Sequence, residues 1–227
     1  MGQSLKSLDE HGSILADMLP ILYYVHDPMC SWCWAFQAVY SAIQQQLKDK
    51  VQHRRLLGGL ATDNLQAMPT EMQHYLLQTW RTIQERVPGV QFNFDFWTVC
   101  QPRRSTWPAC RAVIAARQQG EGNDKLMTVA IQTAYYRQAR NPSDDDILIQ
   151  LAAETGLDVN QFTHDLYDTK TQQQLDKERT LCQQLNVDSF PALVLDRDGS
   201  IWRIPIDYNN ASSSVELIKQ LLEDDND

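Results

Sequence analysis

The chain has no apolar run approaching the ~20 residues of a membrane-spanning helix, which argues against a helical membrane protein. It has no surplus of positive charge: 20 Lys and Arg stand against 29 Asp and Glu, a net charge of -9. That balance disfavours a nucleic-acid backbone or an anionic membrane as principal partner. Cysteine is scarce, with five in 227 residues, an odd number of which only Cys30 and Cys33 are close together. A disulfide scaffold is therefore excluded. There is no second Cys-x-x-Cys and no histidine pair at ligand spacing, so the four ligands of a structural zinc site are missing. Internal repeats and low-complexity linkers are also lacking. The N-terminus carries Asp9, Glu10, His11 and Asp17 and no continuous apolar core, which makes it a poor leader peptide. The expectation is a cytoplasmic protein, or a periplasmic one if a leader has been removed.

What is present is an ordinary globular composition, 43% hydrophobic and 22% charged, at a length suited to one large domain or a core with an insertion. Acidic residues cluster at Asp144–Asp146 and in the tail "EDDND" at 223–227, read as a helix start and a frayed end. "PILYYVH" at 20–26 reads as a buried strand. Phe36, Val39, Ile43 and Leu47 then recur at helical spacing, and "VQHRRLL" at 51–57 reads as a second strand closed by Gly58 and Gly59. The middle of the chain reads as helical. Met72, Leu76, Trp80, Ile83 and Val87 form one stripe, and Thr106 with Pro108 opens another helix. Leu126, Val129, Ala130 and Tyr136 are expected to face inward, and Ser143 with Asp146 resembles a capping box. A further helix runs from about Thr171 to Leu185. "FPALVLD" at 190–196 and "SIWRIP" at 200–205 read as two strands joined by the tight turn "DRDG", and Val215, Ile218, Leu221 and Leu222 mark a last amphipathic helix.

"DPMCSWCWAF" at 27–36 carries the chemistry. A cysteine at the first turn of a helix faces free N–H groups and the positive end of the macrodipole. Such a setting lowers a thiol pKa and raises the thiolate fraction. Cys33, one turn further in, can close a disulfide with Cys30, so the first thiol attacks a partner disulfide and the second resolves the mixed disulfide. "DSFPALVL" at 188–195 supplies the second piece. Pro191 opens a strand, where a ladder tolerates proline, and a cis Phe190–Pro191 peptide would set the Phe190 backbone beside the thiols, free to pair with an extended substrate.

On these two stretches, with "STWPACRAVIAAR" at 105–117 and "AYYRQARNPSD" at 134–144, the chain resembles the DsbA-like branch of the thioredoxin superfamily. More narrowly it resembles the bacterial group of predicted protein-disulfide isomerases, related to FrnE-like and hydroxychromene-carboxylate isomerase proteins. The resemblance spans roughly residues 20–222. It implies an α/β, thioredoxin-like fold with a large helical insertion, the core at 18–62 and 158–224 and the inserted domain at 63–157. It implies Cys30 as nucleophile, Cys33 as resolving thiol and Pro191 as the cis-proline. Phe190, Trp32 and Ser31 are the expected substrate contacts, and no metal is expected.

There are departures. Many thioredoxin-like enzymes carry a buried acid six residues before the first cysteine; Tyr24 stands there, with His26 on the same strand face. The Ser31-Trp32 dipeptide lacks the histidine of strongly oxidising relatives. Trp32 is expected at the rim of the site and Trp34 in the core. Cys100 and Cys110 are expected as free thiols and Cys182 as a packed helix residue; Arg103 and Arg104 read as loop charge rather than a glutathione site. The leading expectation is a thiol-disulfide oxidoreductase or disulfide isomerase. Its partner is a disulfide- or thiol-containing protein or a small thiol. No cofactor beyond the dithiol is called for, with glutathione as the candidate co-substrate. An adaptor role on the same fold is the alternative, followed by a glutathione-dependent isomerase or transferase, whose relatives place serine where Cys30 stands.

Overall fold

A computed structural model describes residues 19–223. The segment read above for a leader, residue 18 of the expected core, and residues 224–227 lie outside the described residues. The apolar run folds as β1 (Ile21–His26) and enters α1 (Ser31–Leu47), which leads to β2 (Gln52–Leu57). Six helices follow: α2 (Thr70–Arg86), the short α3 (Phe96–Val99), α4 (Trp107–Gln118), α5 (Asn123–Arg137), α6 (Asp145–Glu154) and α7 (Val159–Tyr167). The chain then returns through α8 (Thr169–Gln184), β3 (Ala192–Arg197), β4 (Ser200–Ile204) and α9 (Ser212–Glu223). The strands form one sheet in the order β2-β1-β3-β4. β1 pairs parallel with β2, and the other two pairings are antiparallel. This is a thioredoxin-like fold with a helical block between β2 and β3.

Strand alternation sorts the core. Leu22, Tyr24, Leu193 and Leu195 face α1 and α9, where they pack on Phe36, Ile43, Leu47, Val215 and Ile218. Tyr23, Val25, Ala192 and Val194 face the other way, onto Cys182 of α8 and Leu185 just after it. A third cluster fills the helical block around Trp80 and Tyr136 and extends to Met29, next to Cys30. Each fully buried Leu, Ile or Phe in these layers contributes about 1.5–3 kcal/mol of transfer free energy. Asp198 and Gly199, both at positive φ, make the β3–β4 hairpin turn that "DRDG" foreshadows.

Ion pairs pin the block to the sheet. Arg55 of β2 pairs with Asp124 of α5 at 2.9 Å, and Arg117 of α4 pairs with Glu178 of α8 at 2.6 Å. Glu178, 4% exposed, also accepts from the Leu57 N–H at 2.8 Å. Its second oxygen thus holds the end of β2 in place, where Leu57 pairs with His26.

Three local expectations fail. Tyr136 is buried as expected, but Leu126 and Val129 are 54% and 36% exposed; the other apolar residues that α5 buries are Met127, Ile131, Ala134 and Tyr135. Apolar side chains lie on more than one face of that helix, so period alone does not choose between them. Ser143 caps nothing: its hydroxyl donates to the Ser105 carbonyl at 2.8 Å, and Asp144 takes the N-cap position. Thr106 sits at the N-cap of α4, but its side chain makes no capping bond.

Candidate active site

The site forms where β1 hands over to α1. The turn is closed by the Cys30 N–H, which donates to the Asp27 carbonyl at 3.0 Å. Cys30 is the N-cap, in extended conformation, and its sulfur accepts from the Cys33 N–H at 3.4 Å. The sequence places a thiol where helices ordinarily use a hydroxyl or carboxylate oxygen. A thiolate there meets the positive end of the helix dipole.

Cys30 is 7% exposed and Cys33 is fully buried; both are free thiols. Burial pushes the Cys33 thiol well above its ordinary range, and hydrogen bonding and charge from Cys30 act in the same direction. The two cysteines of one motif thus have different access: Cys30 opens towards solvent, and Cys33 sits behind it. Across the cleft the Phe190–Pro191 peptide is cis, and the Cys30 thiol donates to the Phe190 carbonyl at 3.6 Å. The structure therefore brings Cys30, Cys33 and the Phe190–Pro191 peptide together.

The flanking residues are placed unevenly. Trp32 is half-buried against Tyr208, ring centroids 4.8 Å apart. Ser31 is 8% exposed, so its side chain offers little surface to a substrate. Trp34 is half-buried rather than fully in the core; it stacks on Tyr136 at 5.7 Å and donates to the Gln91 carbonyl. The Phe190 ring lies over Gly58, so closely that a Cβ there would stand 2.0 Å from its Cζ.

Behind Cys33, Tyr24 stacks on His26 at 5.0 Å and on Tyr40 at 4.0 Å. Burial, then the charge of Cys33 and Cys30, holds the Tyr24 hydroxyl well above its usual range. Burial lowers His26 to about 3, assisted by the positive charges of Arg55 and Arg117. His26 is therefore neutral at physiological pH.

A further residue organises the site. Asp27 is fully buried and accepts from the Met29 N–H at 2.7 Å, the Leu60 N–H at 2.8 Å and the Thr106 hydroxyl at 2.6 Å. The Cys110 thiol also points to it, at 3.7 Å. One carboxylate thereby joins the active-site loop, the segment leaving β2, and the start of α4. Burial raises its pKa, while the hydrogen bonds from Thr106, Leu60 and Met29 pull the other way. The available sequence signal was an acid directly after a buried strand, where a solvated loop charge is the default. Gly58 reads in the sequence only as the close of a strand, and Tyr208 gives no signal of its own.

The other cysteines stand apart from the pair. Cys100 donates to the Ala139 carbonyl at 3.0 Å, and Cys100, Cys110 and Cys182 are all free. Arg103 is engaged by the Ser143 carbonyl and the Asp144 carboxylate. No cluster of three or more metal-ligating side chains occurs among the described residues.

The chain is similar to known proteins. A family model described as thioredoxin matches residues 23–200. Curated relatives include ClpXP adapter proteins SpxH of Halalkalibacterium halodurans, 26% identical over 181 residues (78% of this chain, 58% of the relative), and of Bacillus subtilis, 25% identical over 176 residues (76% and 56%). The chain thus spans under three-fifths of the length of these relatives. Among solved structures, a Nitrosomonas europaea protein provisionally assigned as a protein disulfide isomerase has a TM-score of 0.79 and 26% identity, covering 91% of this chain and 99% of that one. The cytosolic disulfide reductase DsbM of Pseudomonas aeruginosa has a TM-score of 0.71 at 23% identity, covering 89% and 98%.

Proposed function

Since the chain belongs to the thioredoxin family, we propose that it is a thiol-disulfide oxidoreductase in which Cys30 attacks and Cys33 resolves. The observation that carries this reading is the placement of Cys30. Its sulfur caps α1, lies against the Phe190 carbonyl, and has a buried second thiol one turn behind it. The Cys30 thiolate attacks one sulfur of a disulfide, forming Cys30–S–S–R and releasing the other half as a thiolate that takes a proton. The Cys33 thiol then loses its proton and attacks the Cys30 sulfur. The R-thiolate leaves, and a Cys30–Cys33 disulfide remains. Two electrons have passed to the substrate, and a second thiol donor restores the dithiol. The same steps in reverse oxidise a substrate.

An extended substrate would lie along the Phe190 backbone, between the Phe190 ring and Trp32. Protein disulfides and small thiols both fit this description. Glutathione is the small thiol of choice, supported by the solved complex of DsbM with it. A cytoplasmic site of action agrees with five free thiols and with the cytosolic naming of DsbM. No described helix is long and apolar enough to cross a membrane.

The test is dithiothreitol-dependent insulin reduction. Cys30→Ser is expected to abolish turnover, and Cys33→Ser to accumulate a mixed disulfide on Cys30 visible by mass. Turnover in Cys30→Ser equal to the parent would refute the reading. The curated relatives favour a second role, as a protease adaptor. A partner retained by pulldown after both Cys30 and Cys33 are replaced by serine, in a protein without insulin turnover, would decide for it.

A further inference from the structure

Cys33 has a second side. It lies in the wall of a cavity of about 180 Å³ between α1, the β1–β2 face and α5, away from the Phe190 carbonyl that marks the substrate side. This is smaller than the roughly 300 Å³ at which drug-sized ligand pockets begin. Its inner wall is the aromatic stack of Tyr40, Tyr24 and neutral His26. Ala38 and Val129 add apolar surface. Gln37 and Gln132 are joined to each other at 3.3 Å, and the basic residues of the wall are Arg55 and Lys125.

The charge here runs against that of the chain. Among the described residues no carboxylate lines the cavity. The acids that pair with Arg55 and its neighbour Arg117 are already committed: Asp124 pairs with Arg55 at 2.9 Å and lies 3.8 Å from Arg117, and Glu178 pairs with Arg117. Arg55, Arg117 and Lys125 thus stand against Asp124 and Glu178, and Lys125 has no ion pair among the described residues. The positive field registers at His26, whose pKa Arg55 and Arg117 help to depress. The Tyr40 hydroxyl is buried without a hydrogen-bond partner among the described residues. A buried donor left unmatched is costly, and an acceptor in the cavity would satisfy it.

We propose that this cavity is a binding site for a short-chain carboxylate, its alkyl part against Ala38, Val129 and the tyrosine rings. Its carboxylate is held by Lys125, the glutamine amides and the Tyr40 hydroxyl. The occupant sits behind Cys33, so its negative charge opposes the Cys33 thiolate and slows the resolving step. This coupling rests on the redox reading above; the binding itself does not.

Calorimetric titration of the reduced full chain with butyrate tests it, with butyramide as the uncharged isostere. One saturable site is expected, with butyramide about tenfold or more weaker, the worth of one charge-assisted hydrogen bond. Tyr40→Phe and Lys125→Met, each checked for an unchanged melting temperature, should each weaken butyrate severalfold. No saturable heat, equal affinity for butyramide, or undiminished binding in both variants would overturn the proposal. With saturating butyrate, stopped-flow analysis should show Cys30 attack unchanged and resolution slowed. Binding without that slowing would overturn the coupling and leave the carboxylate site standing. Absence of any Cys30 attack would instead count against the redox reading.

Discussion

The Phe190 ring occupies the space that a side chain at Gly58 would need, with an added Cβ only 2.0 Å from Phe190 Cζ. The contact joins the end of β2 to the residue whose carbonyl faces Cys30. Gly58→Ala must therefore swing the ring outward. The ring is half-buried, so the expected loss is modest, about 1–2 kcal/mol. Insulin-reduction kcat/KM should fall with it, because the substrate loses one wall of its groove. Urea denaturation of Gly58→Ala, Phe190→Ala and the double variant forms a cycle. In the Phe190→Ala background the Gly58→Ala cost should vanish; a cost that persists would show that the strain lies elsewhere.

Asp27 holds three segments through one carboxylate, and Asp27→Asn keeps its size while turning one acceptor into a donor. The amide nitrogen would then face the Leu60 N–H or the Met29 N–H, both donors. The expected destabilisation is about 1–3 kcal/mol, the cost of one buried unsatisfied group. The loop preceding Cys30 should also loosen, so amide exchange at Met29 and Cys30 should quicken more than at β1. Uniform acceleration throughout the chain would indicate a global effect alone.

Accessibility separates the thiols. Cys33 and Cys110 are fully buried and Cys182 is 3% exposed, and burial holds all three above the usual thiol range. Iodoacetamide at neutral pH should label Cys30, with Cys100 slower because burial and Asp144 raise it. Peptide mapping should find Cys33, Cys110 and Cys182 labelled only after denaturation. Early labelling of Cys33 would mean that the helix start opens readily.

The elements that bear on the chemistry were legible because each is a local signal. A β-branched and aromatic run gave β1, a cysteine at the following turn gave the start of α1, and "DRDG" between alternating residues gave the hairpin. What was not legible depends on partners distant in sequence. Thr106 looks like a helix cap but spends its hydroxyl on Asp27, 79 positions away. Ser143 looks like a capping box and binds the Ser105 carbonyl. Leu126 and Val129 share the period of buried residues, yet the face that α5 presents to α4 carries Met127, Ile131 and Ala134 instead. The α3 and α7 segments are too short for a periodic pattern to declare them. The pairing of Phe190 with Gly58 is a matter of shape that composition does not encode.

His26 makes the stability of the protein depend on pH in a stated direction. Its folded-state pKa is about 3, below the ordinary 6.5, because burial and the charges of Arg55 and Arg117 disfavour the imidazolium. Between those values the unfolded chain binds a proton that the folded chain does not. Stability therefore falls as pH falls through that window, by up to about 1.4 kcal/mol per unit. Asp27 acts with the opposite sign: its folded pKa is raised, so the folded state takes up its proton first as pH drops below that value. The two are separated by comparing the parent with His26→Gln, which leaves Asp27 in place. Urea unfolding at pH 7, 5.5 and 4.5 should give a steeper acid loss in the parent, so that the stability gap between the proteins narrows towards low pH. Parallel curves would mean that His26 binds its proton equally in both states, and that its burial behind Cys33 is looser than the structure shows.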